Sequence, residues 1–319
     1  MIPPILSCVC LLAIFPPFSQ ARPSSPTLRA PHLETRDVTN SSKAGLAWAN
    51  GKWVDMKQYE STGKVSWYYT WGPDPVDGAT IEFVPMFWGS KDIDDWQSSI
   101  NSTISELDVK AILGFNEPQQ SGQSNLTPSD GASLWQTYIE PLKSANPSLR
   151  LGSPAPSSAP SGKTWLQEWL SACNGGCTPD FIALHWYDVN ATAFIEYLED
   201  FHDTFGLDLW VTEWACQNFN DENAQCSQED VEEFLNTTQS YMDSSSFVER
   251  YAWFGAMENL QGVNTDNALM DSKGDINDLG EQYIGGNATT HSSGAPPTFD
   301  PTLGMITWAM FTTVAVLSW

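Results

Sequence analysis

Eight short runs rich in β-branched and aromatic residues recur along the middle of the chain, at 45–49, 65–71, 82–88, 111–116, 150–154, 181–187, 209–213 and 250–256. Helical patterns fill several of the gaps, over 93–107, 129–144, 164–173, 191–205 and 228–242. The last of these opens with Ser227 as an N-cap and Asp230 three residues on, a variant of the capping box. Eight strand–helix units in about 240 residues match the size of a (β/α)8 barrel, so the expected fold is α/β, a single TIM barrel over 44–286. The first two inter-strand connections are short, and their helices must be small or irregular. An open doubly wound sheet is the alternative, but no G-x-G-x-x-G or P-loop opens any unit.

The chain ends carry processing signals rather than fold. Residues 1–21 have no ionisable side chain, and the apolar run 5–15 is followed by Ser19-Gln20-Ala21. That pattern reads as a secretory signal peptide, although it lacks a basic start and holds four prolines. Residues 22–43 are rich in Pro, Ser and Thr and read as a disordered lead or pro-segment. At the far end, small residues 292–294 precede a linker and the 17-residue uncharged stretch 303–319. Small residues, polar spacer and apolar tail in that order make a GPI-attachment signal, with 287–302 as the linker that holds the site. A transmembrane helix is the competing reading, at the short limit of length. The expected location is therefore secreted, at the cell surface or wall, with the membrane reached only through such an anchor.

Cysteine usage fits export. Outside the signal stand Cys173, Cys177, Cys216 and Cys226, which allow three pairings. Local pairs, Cys173–Cys177 and Cys216–Cys226, are preferred because each brackets a Gly- or Asn-rich loop. A zinc site is the rival, but the spacings suit it poorly. N-x-S/T sequons at Asn40, Asn101, Asn125, Asn190, Asn236 and Asn287 suit a glycoprotein, each weakly. With 14 basic against 39 acidic residues the net charge is −25, which disfavours nucleic acid and anionic membrane partners. Four scattered His and no G-x-S-x-G give neither a zinc hydrolase nor a serine hydrolase a ligand set or nucleophile, so no metal and no cofactor is expected.

A barrel places its chemistry where strands end. Those ends read Trp67-Tyr68-Tyr69-Thr70-Trp71, Phe87-Trp88-Gly89, Phe115-Asn116-Glu117-Pro118, His185-Trp186-Tyr187 and Thr212-Glu213-Trp214. Strand alternation puts Leu209, Val211 and Glu213 on one face, and Ala183, His185 and Tyr187 on one face of theirs. Strands four and seven each end in a glutamate, and opposite strands can aim two carboxyls into one cleft. Two carboxylates are what glycoside hydrolysis needs, one to protonate the leaving oxygen and one to attack or to activate water. Glu213 must stay ionised, so it needs donors, which Tyr187 and His185 can supply. Asp188 and Glu258 also lie near strand ends and are rejected as catalytic groups.

In order along the chain, Gly45-Leu46-Ala47, Val65-Ser66-Trp67-Tyr68-Tyr69, Glu82-Phe83-Val84-Pro85-Met86, Gly114-Phe115-Asn116-Glu117-Pro118, the run from Asp180 to Tyr187, and Trp210-Val211-Thr212-Glu213 resemble the motifs of glycoside hydrolase family 128, the fungal-type endo-β-1,3-glucanases. The resemblance implies a retaining clan A barrel glycosidase, with Glu117 as general acid/base and Glu213 as nucleophile. Trp48 and Thr70 stand where the family leads us to expect Tyr and Asn. Asn116 would hold a sugar 2-hydroxyl, and His185 would support the carboxylates. Trp67, Tyr69, Trp71, Trp88, Trp186 and Trp253 are candidate sugar-stacking residues, with core packing the competing reading for each. The expected partner is a β-1,3-glucan polysaccharide or oligosaccharide, bound by a monomer. A catalytically weak glucan-binding wall protein, a glucan transglycosylase and a structural surface protein are the alternatives.

Overall fold

Each strand among the described residues runs parallel to its neighbours, as crossover helices require. The computed structural model describes residues 42–286. The signal peptide, the lead up to residue 41, the linker, the tail and the sequons at Asn40 and Asn287 lie outside the described residues. The strands are β1 (Ala44–Ala47), β2 (Val65–Tyr69), β3 (Glu82–Phe83), β4 (Ala111–Ile112), β5 (Arg150–Leu151), β6 (Ile182–Asp188), β7 (Leu209–Cys216) and β8 (Val248–Trp253). Continuous ladders join them as β3-β2-β1-β8-β7-β6 and as the pair β4-β5. Single parallel bridges, Met86 to Leu113 and Gly152 to Phe181, span the two seams. There Leu113 N–H donates to Pro85 O at 2.9 Å and Ser153 N–H donates to Phe181 O at 3.0 Å. The result is the expected (β/α)8 barrel, with its ladder thinned on both sides of β4-β5.

The helices are α1 (Ile93–Leu107), α2 (Pro128–Tyr138), α3 (Glu140–Ala145), α4 (Pro160–Cys173), α5 (Ala191–Phe205), α6 (Gln228–Ser244) and α7 (Asp278–Tyr283). Helices α1 and α5 have the expected bounds, and α6 opens with the reciprocal Ser227–Asp230 capping box. The single helix expected over 129–144 is instead two, α2 and α3, joined at Ile139. Pro141 explains the break, since it has no N–H to donate and its ring crowds the preceding turn. Helix α4 begins earlier than expected because Pro160, a good first-turn residue, opens it. Between β1 and β2 there is only a short 3-10 turn (Met56–Tyr59), as the short connection demanded.

Two apolar layers follow from the period of two along the strands. Leu46, Tyr68, Leu184, Val211 and Tyr251 face outward into the layer shared with the helices. Ala47, Trp67, Tyr69, Met86, Leu113, Ala183, Trp210 and Ala252 fill the barrel. Bulky and small residues alternate there, so that Trp67 lies where a side chain at Gly45 would sit, within 2.2 Å of its Cβ position. Phe181 stacks on Trp210 at 4.0 Å, and the buried Arg250 guanidinium covers Trp210 at 4.5 Å while forking onto Glu82 at 2.6 and 3.1 Å. A paired, aromatic-covered guanidinium thus closes one end of the barrel interior.

An acidic pair lies at the N-terminal ends of β7 and β8. Burial, then the neighbouring Glu249 carboxylate, push Asp208 up to about 6, against Arg150 and His202. The folded value exceeds the ordinary unfolded one of about 3.9, so this contribution to stability is full at low pH and is lost as pH rises through about 6. Asp208→Asn, which keeps the shape and removes the repulsion, should raise the melting temperature at pH 7 by roughly 2–3 °C and change it little at pH 4. The half-exposed setting holds the gain to about 1 kcal/mol or less. Equal shifts at both pH values in a thermal melt would show that charge repulsion is not the cause.

Candidate active site

Glu117 follows β4 in a backbone conformation that L-residues avoid, with φ of 38°. The turn is held by Glu117 N–H donating to Ala155 O at 2.8 Å and Gln120 N–H donating to Glu117 O at 2.9 Å. The close approach beside it needs Gly114, whose Cβ would come within 2.8 Å of the Pro154 backbone nitrogen. Strain of this kind persists where the surroundings over-determine a side chain's position.

Glu213 reaches the same place from β7, though not by simple alternation. Leu209 and Val211, expected on its face, pack outward with the helices. The β7-β8 register shifts between Val211 and Trp214, and His185 on β6 pairs with Glu213 after a similar shift. An irregularity of that type flips the facing of every residue beyond it, and it brings Glu213 inward where strict alternation would turn it out. Ala183, His185 and Tyr187 do share one face, as expected: Ala183 lies in the interior layer and the two polar side chains reach Glu213.

The two carboxylates meet across His185. Its Nδ1 lies 3.0 Å from Glu117 Oε1 and 3.4 Å from Glu213 Oε2. One ligand-capable atom from each of Glu117, His185 and Glu213 falls within 4.8 Å of the others, so these are also the residues able to hold a cation. All three are buried. Each Glu213 oxygen has its own neutral donor: Trp71 Nε1–H reaches Oε1 at 2.8 Å and the Tyr187 hydroxyl reaches Oε2 at 2.5 Å.

Charge follows from this enclosure. Burial pushes the Glu213 carboxyl above the ordinary carboxylate value; the Glu117 charge adds to that, while His185, Tyr187 and Trp71 pull it down. Burial alone would lower the His185 imidazole, but the two carboxylates outweigh it and raise the group. Burial, then the Glu213 and Glu117 charges, hold the Tyr187 phenol far above its usual range, so it remains a donor. Among the described residues the buried Oδ1 of Asn116 has no hydrogen-bond partner, while Nδ2 of the same amide donates to Gln123 Oε1 at 3.1 Å. An acceptor left without a partner beside two carboxylates is a place for a ligand hydroxyl.

The six candidate stacking residues separate by burial. Trp71 and Trp88 are partly open and pack at the rim of the interior layer. Trp67 and Tyr69 are instead interior packing, Tyr69 donating its hydroxyl to Thr212 O at 2.9 Å. Trp186 packs outward on Phe194 and Tyr197, and Trp253 outward on Trp214 and Phe234, with its indole N–H on Asn267 O. Trp67, Tyr69, Trp186 and Trp253 therefore offer no ring face to a sugar: an indole between strands and helices is core. Of the residues departing from the family pattern, Trp48 is fully buried against Tyr59, and Thr70 donates to Asp74 O. Asp188 spends a carboxylate oxygen on the backbone N–H groups of Val189 and Asn190, and Glu258 is exposed.

Reading by residue type took Trp71 as a candidate sugar-stacking ring and missed that its indole N–H hydrogen-bonds the Glu213 carboxylate. It also missed Gln123 and Phe254. Gln123 holds the Asn116 amide from only seven residues away, and Phe254 packs on Trp71 and Tyr187 from distant parts of the chain; neither residue type marks a site by itself. The disulfides formed are Cys173–Cys177 and Cys216–Cys226, the local pairing, with Cα separations of 5.5 and 6.1 Å.

Buried paired carboxylates at the C-terminal ends of parallel barrel strands define a glycoside hydrolase catalytic core. The glycosyl hydrolase catalytic core family matches residues 45–283, and the chain belongs to it, within glycoside hydrolase family 128. Alkali-sensitive linkage protein 1 of Schizosaccharomyces pombe is 34% identical over 251 residues, 76% of this chain and 44% of that protein, so the chain spans under half the relative's length. A curdlan-specific exo-β-1,3-glucanase from Blastomyces gilchristii, solved with glucose, is 32% identical, with a TM-score of 0.62 over 76% of this chain and 98% of that one. An endo-β-1,3-glucanase from Amycolatopsis mediterranei, solved with laminaritriose, is 28% identical, with a TM-score of 0.62 over 76% and 99% of the two chains.

Proposed function

We propose that this chain hydrolyses β-1,3-glucan with retention, Glu117 acting as general acid/base and Glu213 as nucleophile. The observation that carries the assignment of roles is the unequal share of donors. Trp71 and Tyr187 each donate to a separate Glu213 oxygen, which favours the carboxylate form there. Glu117 faces only the His185 imidazole, at 3.0 Å, and the role of proton donor falls to it. Glu213 attacks the anomeric carbon as the glycosidic C–O bond breaks and Glu117 passes its proton to the leaving oxygen. Water then displaces Glu213 from the glycosyl-enzyme, giving its proton to Glu117. Asn116 Oδ1 accepts from a sugar hydroxyl beside the reacting carbon, and Trp71 and Trp88 offer rim surface for neighbouring rings.

Retention is supported by spacing. Carboxylate oxygens within 4.8 Å of each other suit direct attack better than the roughly 6.5–9.5 Å that leaves room for a water in inverting enzymes. Proton NMR of early hydrolysis should show the β-anomer appearing first, with the α-anomer following only by mutarotation. An α-anomer formed first would overturn both role assignments.

Relatives of both endo and exo action are similar to this chain, and internal cutting is read by a rapid fall in glucan viscosity ahead of glucose release. Export to the cell surface, with a GPI anchor, is supported by the terminal apolar segments and by two disulfides, which persist in oxidising compartments. A merely binding wall protein would not need two carboxylates so enclosed and so supplied with donors.

A further inference from the structure

An arc of aromatic rings runs through the site, from Tyr69 to Trp71 (4.8 Å), Phe254 (6.0 Å), Tyr187 (5.8 Å) and Phe219 (5.3 Å). Its first ring is buried, and its last is 57% exposed. Among the described residues the exposed large apolar side chains are Trp53, Leu107 and Phe219. Leu107 ends α1 in the outer ring of helices, while Phe219 packs edge-on against the tyrosine that holds the Glu213 carboxylate.

The segment that presents Phe219 is tightly built. It leaves β7 at Cys216 and returns to Cys226, the two joined as a disulfide. Within it Asn218 N–H donates to Gln225 Oε1 at 3.0 Å, and Gln225 Nε2 donates back to Asn218 O at 2.6 Å. Outside contacts fix its two stems. Asn264 N–H donates to Gln217 Oε1 at 2.6 Å, Asn264 Nδ2–H to Cys226 O at 2.8 Å, and the Asn267 amide binds both backbone groups of Cys216. A loop held this firmly loses little entropy on binding, and a large apolar ring on it exposed to water calls for an explanation.

We propose that Phe219 is a specificity-determining residue: its open face stacks a glucosyl ring of the substrate adjoining the one held at Glu213. Phe219 stands one aromatic ring beyond Tyr187, which itself holds Glu213, so a glucan chain extended in that direction from the ring at Glu213 would meet it. The apolar face of a β-glucosyl unit matches a flat ring of that size. This rests on the glucanase reading above, and it names a subsite on the nucleophile side of the cleft.

The test is steady-state kinetics on laminari-oligosaccharides for the unmodified protein, Phe219→Ala, Phe219→Trp and Phe219→Leu, together with calorimetric binding of laminarihexaose in a Glu213→Gln background. Phe219→Ala should raise KM about five- to tenfold with kcat falling less than twofold, the scale expected from one lost aromatic contact. Phe219→Trp should restore the unmodified KM and Phe219→Leu should fall between. A fall in kcat at constant KM would mean that Phe219 acts by propping Tyr187 against Glu213, and would overturn the stacking role. Equal hexaose affinity with and without Phe219 would overturn it while leaving the glucanase reading intact. No hexaose binding by the Glu213→Gln protein would remove both.

Discussion

Glu213→Ala should leave a folded protein that still binds laminari-oligosaccharide but turns it over at least about 10⁴-fold more slowly. The fold should hold, because the charge removed is one that burial and the Glu117 carboxylate disfavour. What remains is a cavity with two donors aimed into it, Trp71 Nε1–H and the Tyr187 hydroxyl, both left without their acceptor. Such a cavity suits a small anion. Azide bound there stands on the nucleophile's side of the sugar, so a β-linked substrate with a good leaving group should yield the α-glucosyl azide. Product NMR reads the outcome directly. A β-azide from this variant would place the nucleophile elsewhere.

Glu117→Ala should give the complementary pattern. Natural glucan needs a proton on its leaving oxygen, and its turnover should fall by about 10²–10⁴-fold, the range of general acid catalysis. A dinitrophenyl β-glycoside needs no such proton, so the first step should run near its normal rate and the glycosyl-enzyme should accumulate as a burst. Azide, which needs no general base, should then speed the second step and give the β-glucosyl azide. His185 sharpens the prediction, since its raised imidazole sits against both carboxylates. Loss of Glu117 removes one of the two charges that hold it up, so any remaining pH dependence assigned to His185 should move to lower pH. Equal losses on glucan and on the dinitrophenyl substrate would deny Glu117 the role of acid.

The sequence determined what repeats locally. Strand and helix periods, the Ser227–Asp230 cap, Pro160 at a helix start and the glutamates at two strand ends all act within a few residues, so a linear reading recovers them. It also determined the local disulfide preference, because short loops leave little choice of partner. Tertiary structure decided whatever depends on facing and burial. A register shift in β7 turns Glu213 inward against the simple alternation of its strand. The indoles of Trp186 and Trp253 lie beneath helices, while Trp71 reaches across the barrel to Glu213. Those outcomes rest on residues more than a hundred positions apart, as Trp71 and Glu213 are, or on one extra residue in a ladder. An indole has the same composition whether it packs under a helix, stacks a sugar or donates to a carboxylate, and only the assembled tertiary structure chooses among the three.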